Sequence, residues 1–247
     1  MGSLTVAVVG AGGRMGRQVC AAVEAADGLE LGPRIDLGDD VAAVAGADVA
    51  VVFSVPAVVL EHTLACIGAG VHVVVGTTGW DADALETVRA ALKDAPGVGV
   101  LIAPNFALGA VLLMRFAAIA ARHYESVEII ELHHPDKVDA PSGTARRTAE
   151  LIGAARRDAG LPPVPDATST SLDGARGAEV DGVRVHSVRL RGLVAHEEVL
   201  LGGPGEQLTL RHDSFDRVSF LPGVLLGVRT VGSRPGLTVG LEHYLDT

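Results

Sequence analysis

Residues 4–18 read "LTVAVVGAGGRMGRQ", and the reading of this stretch decides the fold. A Val-rich run ends at Gly10, glycines recur at Gly12, Gly13 and Gly16, and a helical pattern takes over from about Gly13 to Ala25. A glycine loop between a first strand and a first helix lets the backbone approach a pyrophosphate, while the helix N-terminus offers unpaired N–H groups and a positive dipole end. The spacing departs from G-x-G-x-x-G: Gly10 and Gly12 match, Met15 holds the third place and Gly16 lies one later. Asp36 follows Gly16 by 20 residues, where a dinucleotide fold places its ribose-binding acid. The stretch therefore reads as a nicotinamide or flavin dinucleotide site, against the alternative of a tight turn with no ligand.

Working outward, Val-rich runs alternate with helical segments as far as about residue 103: "LELGPRID", "DVAVVFSV", a helix over "VVLEHTLACIGAG", "VHVVVG", a helix near "DALETVRAALKD", and "VGVLIAP". Continuous apolar strands separated by helices indicate a parallel sheet covered on both faces. A Rossmann-like, doubly wound α/β domain is expected over residues 1–106. Two more loops fall after its strands, "GTTGW" and "APNFALG", where an open α/β sheet binds ligands. Their hydroxyl and small residues suit the flank of a nicotinamide ring, although Thr78 and Asp81 are equally ordinary helix caps.

Beyond Pro104 the texture changes to a long apolar helix, the strand "SVEIIEL", and a helix over "ARRTAELIGAARRDAG". Residues 161–182 lack periodicity and are rich in Pro, Ser, Thr and Gly. "VRVHSVRLRG", "VAHEEVLLGG" and "EQLTLRHD" then read as an antiparallel meander, which with "VEIIEL" gives a second α+β domain, residues 107–215, on a mixed, mostly antiparallel sheet of four strands. The last segment, residues 216–247, resumes a helix and is expected to complete the first domain.

The bounds agree with this reading. At 247 residues, 48% hydrophobic and 20% charged, the chain can bury two unequal cores. Its formal charge of -10 disfavours nucleic acid and anionic membranes as partners. Cys20 and Cys66 lie inside apolar helical patterns, so no disulfide framework or Cys-x-x-Cys zinc site is expected. The first residues show neither a basic n-region nor a cleavage site, and no apolar run reaches membrane length, which leads to an expected cytoplasmic location.

The densest polar chemistry lies at 131–145, "ELHHPDKVDAPSGTA". His133 and His134 point to opposite faces if the strand continues, so they do not converge as metal ligands, and H-E-x-x-H spacing is missing. No metal is expected. Pro141, Ser142, Gly143 and Thr144 precede a helix with an apolar stripe at Ala149, Ile152 and Ala155. Such a turn is a ready anion site. The bland alternative is a solvated polar loop. With a hydride donor in the first domain, the window reads as a substrate and proton-donor site for a small carboxylated, unsaturated compound.

"GAGGRMGR", "GTTG", "APNFALG" and above all "ELHHPDKVDAPSGTA" resemble the dihydrodipicolinate reductase family, and the "DATSTSLDGARGAEVDG" segment resembles its actinobacterial branch. The resemblance spans nearly the whole chain. It implies NADH- or NADPH-dependent reduction of 4-hydroxy-tetrahydrodipicolinate in diaminopimelate and lysine biosynthesis. It also implies a homotetramer joined through the substrate-domain sheets, and a final helix and strand that rejoin the cofactor domain. Carried over by position, it gives His133 and Lys137 as the proton-transfer groups, His134 as a substrate contact, and Ser142, Gly143 and Thr144 as the carboxylate turn. The dinucleotide contacts it gives are Gly10, Ala11, Gly12, Gly13, Arg14, Met15, Asp36, Gly76, Thr77, Thr78, Ala103, Pro104, Asn105 and Phe106. Where some members carry a Glu-Arg pair after the second strand, this chain has "RIDLGDD".

Two other readings compete. A semialdehyde or homoserine dehydrogenase relative would share the fold, but the phosphorylating kind needs a thiolate, and both cysteines lie mid-helix. A dinucleotide-sensing regulator without turnover would need the glycine loop but not Lys137.

Overall fold

The computed structural model describes residues 2–245. The chain divides into two compact units, one ending at Ala107 and resuming at Arg217, the other running from Leu108 to Asp216.

In the first unit, β1 (Leu4–Val9), β2 (Leu29–Ile35), β3 (Val49–Val52), β4 (His72–Val75), β5 (Gly99–Ile102) and β11 (Gly236–Val239) form one six-stranded sheet in the order β11-β5-β4-β3-β1-β2. All the pairings are parallel. The helices α1 (Arg14–Glu24), α2 (Val59–Gly68), α3 (Ala82–Leu92) and α6 (Leu221–Thr230) make the crossovers and cover the faces. Val6 to Val9, Val49 to Val52 and Val73 to Val75 are buried, as strands covered on both faces must be. Pro33, which lacks an N–H, sits in the edge strand β2, and the β1–β2 register slips between Val6 and Val8 opposite it. The chain leaves β1 toward β2 on one side and toward β3 on the other. The carboxyl ends of β1 and β3 therefore flank a topological switch point, where open α/β sheets bind ligands.

In the second unit, α4 (Leu108–Ala120) and α5 (Gly143–Asp158) accompany a mixed sheet of β6 (Ser126–His133), β7 (Ala178–Val180), β8 (Val183–Arg189), β9 (Ala195–Gly203) and β10 (Glu206–Ser214). Val127, Ile129, Val185, Val199 and Leu201 of the sheet pack with Leu113 and Ala117 of α4 and Ala145, Ala149 and Ile152 of α5. Two expectations are corrected here. The sheet has five strands, not four, in the order β10-β9-β6-β8-β7. The extra strand, β7, spans 3 residues at the end of a stretch without periodicity and pairs antiparallel with β8. Three residues are too few to display a period of two. Nor do β8, β9 and β10 form a meander, because β6 lies between β8 and β9, parallel to the first and antiparallel to the second. The backbone N–H and C=O groups of β6, buried at the centre of the sheet, need a flanking strand on each side, a pairing between distant strands that a local reading of turns does not reveal.

Candidate active site

The glycine loop is built from backbone and space. Gly10 has φ +84, in the left-handed region, and a Cβ there would lie 2.6 Å from the Phe53 carbonyl oxygen. Its N–H, at 2.8 Å, and that of Ala11, at 3.1 Å, donate to the Ile35 carbonyl, tying the loop to the end of β2. A Cβ on Gly12 would run into the Asp36 carboxylate, so the expected ribose-binding acid stands against the loop. Gly16 is buried, and a Cβ on it would meet the Gly10 carbonyl and come within 2.7 Å of the Ala11 Cα. The displaced glycine thus performs the close helix–strand packing assigned to the third glycine of the standard spacing. Gly13 occupies the N-cap of α1 with no side-chain cap, and Arg14 and Met15 open the helix.

The other two loops leave β4 and β5 at the same edge. Gly76 is packed against the Phe53 ring, whose centroid lies 6.1 Å from that of Phe106. Thr77 is buried, and its hydroxyl donates to the Ser54 carbonyl at 2.7 Å. Thr78 is exposed, and the helix cap falls to Asp81, which accepts from the Ala84 N–H at 2.8 Å. Ala103 and Phe106 are buried, Pro104 is exposed, and the Asn105 Oδ1 accepts from the Ala107 N–H at 2.8 Å. Phe53, which the sequence reading did not single out, joins the Gly10, Gly76 and Phe106 loops.

A cavity of about 240 Å³ opens beside Gly10 and Asp36 and is lined also by Phe53, Ser54, Val55 and His62. Two of its polar atoms, Ser54 Oγ and His62 Nδ1, are buried with no hydrogen-bond partner among the described residues. A hollow at the switch point with unanswered polar atoms, an uncapped helix N-terminus and glycines that admit no side chain fits a dinucleotide. Cys66 does not fit a nucleophile, since burial pushes its thiol up to about 12.

The second unit builds its polar site from side chains. On β6, Val127, Ile129, Glu131 and His133 share the core-facing side by the alternation of a strand. Glu131 is fully buried. Arg189, reaching from β8, donates to it from Nη1 and Nη2, each at 2.8 Å. The His133 Nδ1 lies 2.5 Å from the same carboxylate, and the Ser142 N–H donates to it at 3.2 Å. Burial alone would raise this carboxyl, but hydrogen bonds from His133, Arg189 and Ser187 outweigh burial and hold it at about 2. An ionised carboxylate facing Nδ1 fixes the proton there and leaves Nε2 as the working edge of the ring.

Ser142 is buried, and its hydroxyl caps α5 by accepting from the Ala145 N–H at 3.2 Å. Its side chain therefore serves the helix rather than facing outward. Gly143 is exposed with nothing around it that a Cβ would meet, and Thr144 follows half-buried in the first turn of α5. Lys137 donates to Asp139 Oδ1 at 2.6 Å, and His134, half-buried, lies in the turn closed by the Lys137 N–H on its carbonyl at 3.2 Å. His133, Ser142 and Arg189 thus converge on one buried carboxylate. Glu131 and Arg189 were missed from sequence, although the parity of Glu131 with Val127 and Ile129 signalled a buried acid in need of partners.

The two halves of the chain match two family models, dihydrodipicolinate reductase N-terminus over residues 4–106 and C-terminus over residues 109–245. A 4-hydroxy-tetrahydrodipicolinate reductase of Nocardia farcinica is 62% identical over 246 residues, covering 99% of both chains. One of Streptomyces griseus is 60% identical over 248 residues, covering 100% of this chain and 99% of its own. The solved dipicolinate-bound dihydrodipicolinate reductase of Paenisporosarcina sp. TG-14 superposes with a TM-score of 0.86 at 36% identity, over 98% of this chain and 100% of its own. With sequence matched end to end and both sheets matched in space, this chain belongs to the dihydrodipicolinate reductase family.

Proposed function

We propose that the chain is an NAD(P)H-dependent oxidoreductase that reduces 4-hydroxy-2,3,4,5-tetrahydrodipicolinate to tetrahydrodipicolinate, the 4-hydroxyl leaving as water, in the diaminopimelate route to lysine. The observation that carries this reading is full-length identity of about 60% to relatives named for that activity. A bound nicotinamide dinucleotide would supply the hydride. Gly10, Ala11, Gly12, Gly13, Arg14 and Met15 would hold its pyrophosphate and Asp36 its ribose, with Gly76 to Thr78 and Ala103 to Phe106 flanking the ring.

The chain's own residues then bind the substrate and move a proton. Gly143 and Thr144 receive one carboxylate at the start of α5, and His134 contacts the substrate beside it. The Lys137 ammonium faces the ring carbon where electron density builds after reduction and stabilises it. Lys137 or the outward nitrogen of His133 delivers the proton, with Glu131 holding that ring in place. Among the described residues no helix is long and apolar enough to cross a membrane. A cytoplasmic homotetramer that contacts its copies through the second unit completes the reading.

The test is a coupled assay with substrate generated enzymatically and each nicotinamide cofactor in turn. Loss of NAD(P)H absorbance that depends on fresh substrate is expected. Cofactor binding without substrate-dependent oxidation would instead favour a dinucleotide sensor.

A further inference from the structure

The loop from Lys137 to α5 buries little of its own. Val138 is fully exposed, and Asp139 and Ala140 are exposed beside it. The buried Glu131 nonetheless fixes this loop at two points. Its partner across the β6–β9 ladder is another acid, Glu197, so its donors come from elsewhere: His133 from its own strand and Arg189 from β8. At one end of the loop the Ser142 N–H donates to Glu131 Oε1 at 3.2 Å. In the middle, Arg189 Nη2, besides its bond to Glu131 at 2.8 Å, donates to the Asp139 carbonyl at 2.6 Å. A guanidinium presents its donors in a rigid fork, so the Asp139 backbone takes its place from the buried ion pair.

The Asp139 side chain carries that placement on to Lys137, whose Nζ donates to Asp139 Oδ1 at 2.6 Å. The Lys137 side chain is 21% exposed and that of Asp139 49%, so the ammonium is the more covered end of the pair. A half-open pair of this kind adds little to stability, and its use lies in geometry. A lysine head rides on a flexible four-carbon stem, whereas a catalytic charge has to be held to within about half an ångström. One ammonium hydrogen is committed to Asp139, and two remain to face a substrate. Burial would raise the Asp139 carboxyl, but Lys137 and the backbone N–H groups of Asp139 and Gly143 outweigh it and hold the carboxyl below its ordinary range, which keeps the anion in place.

We propose that Asp139 is a positioning residue: anchored through Arg189 to Glu131, it aims the Lys137 ammonium at the substrate. One buried carboxylate thereby governs both proposed proton-transfer groups, His133 by direct contact and Lys137 through Arg189 and Asp139. The inference rests on the reading of Lys137 as the ammonium that faces the reduced ring.

The test measures kcat and both KM values for Asp139→Ala, Asp139→Glu, Lys137→Met and the double variant Asp139→Ala/Lys137→Met. A misplacement of about 1 Å can cost on the order of 100-fold, so Asp139→Ala should lower kcat roughly 10- to 100-fold, with KM for substrate and for NADH within about twofold of the parent. Asp139→Glu, which returns the carboxylate, should recover part of that loss. In the Lys137→Met background the Asp139→Ala change should leave kcat where Lys137→Met put it, because a residue that acts through the ammonium then has nothing to aim. A further fall there would show that Asp139 serves the loop rather than the lysine and would overturn the inference. Should the Ala variant fold poorly, Asp139→Asn, of the same size, carries the same comparison. An Asp139→Ala enzyme with the parent's kcat, beside an impaired Lys137→Met, would sink the inference alone. So would a lower substrate KM at unchanged kcat, which would make Asp139 a stand-in that the substrate carboxylate displaces. If Lys137→Met itself keeps its kcat, the reading of Lys137 falls and the inference with it.

Discussion

The glycine loop of the first unit and the β6–α5 corner of the second, the two places proposed to take ligands, are made of opposite materials. The loop works by lacking atoms: a side chain at Gly10, Gly12 or Gly16 would strike Phe53, Asp36 or Gly10. The corner works by holding charge in a buried place, with Glu131 fully covered and answered by Arg189, His133 and the Ser142 N–H. The first should therefore fail when atoms are added and the second when charge is removed at constant volume.

The largest effect expected from that contrast is at Lys137. Lys137→Met keeps most of the stem and deletes the ammonium. General acid catalysis and electrostatic stabilisation together are worth about 100- to 10,000-fold, and kcat should fall within that span with NADH affinity and melting temperature nearly unchanged. Steady-state kinetics beside a thermal melt would check it. A variant that kept its kcat and lost only substrate affinity would make the ammonium a carboxylate clamp and move the proton to His133.

Next in size is Glu131→Gln, again a change of charge without volume. Removing one partner from a buried ion pair typically costs about 3–5 kcal/mol, and partial exposure of Arg189 and His133 puts this site at the low end. Glu131 is held at about 2, below its ordinary 4.5. Its stabilisation is therefore complete above the unfolded value and is lost as pH falls toward the folded one. Urea unfolding should show the parent well ahead of the variant at about pH 7 and the gap much reduced at about pH 3. An equal gap at both would mean that the loss comes from packing rather than charge. Glu197, across the ladder, has the opposite sign: its folded pKa is raised, so its contribution is present at low pH and fades as pH rises through about 7.

On the other side of the comparison, Gly16→Ala adds one carbon against the Gly10 carbonyl and the Ala11 Cα. Overpacking of that kind destabilises by about 1–3 kcal/mol, and the loop can relax only by moving the backbone that would meet the pyrophosphate. A lower melting temperature and weaker NADH binding by titration are expected, with substrate KM preserved. Unaltered NADH binding would show that the loop tolerates the shift and that Gly16 serves the fold alone.

The two sites also differ in how legible they were. The loop was readable because its requirement is local: a strand, glycines and a helix within one short window, with the late Gly16 standing out as a departure that the structure explains by its contact with Gly10. His133 and Lys137 stood out by residue type and spacing, but the buried carboxylate that His133 faces did not. Glu131, Arg189 and Glu197 meet only through β6 lying between β8 and β9, a pairing between strands distant in sequence. The meander expected over β8 to β10 hid that arrangement, since it placed β8 beside β9. Phe53 escaped for the same reason, because its neighbours Gly10, Gly76 and Phe106 lie on three different loops.

The smallest effect concerns which dinucleotide the loop prefers, and it tests whether a site made of backbone can still discriminate by charge. Asp36 is exposed beside Gly12, placed to accept from a ribose 2'-OH and to repel a 2'-phosphate. The compensating cations are partly engaged: the Arg34 Nη2 is paired with Glu24 at 2.7 Å, and Arg17 donates to the Gly12 carbonyl. These side chains border a hollow of about 520 Å³ open to solvent, where screening keeps each charge contact modest. NADH should therefore be used at least as well as NADPH, by a margin of no more than about tenfold in kcat/KM, which is about 1.4 kcal/mol. Asp36→Asn removes the repulsion and keeps a hydrogen-bonding side chain, so the ratio should move several-fold toward NADPH, while the substrate KM stays unchanged. A parent enzyme that favoured NADPH tenfold would show that Arg17 and Arg34 leave their present partners for the phosphate, and that the charge of this loop is set by its arginines rather than by Asp36.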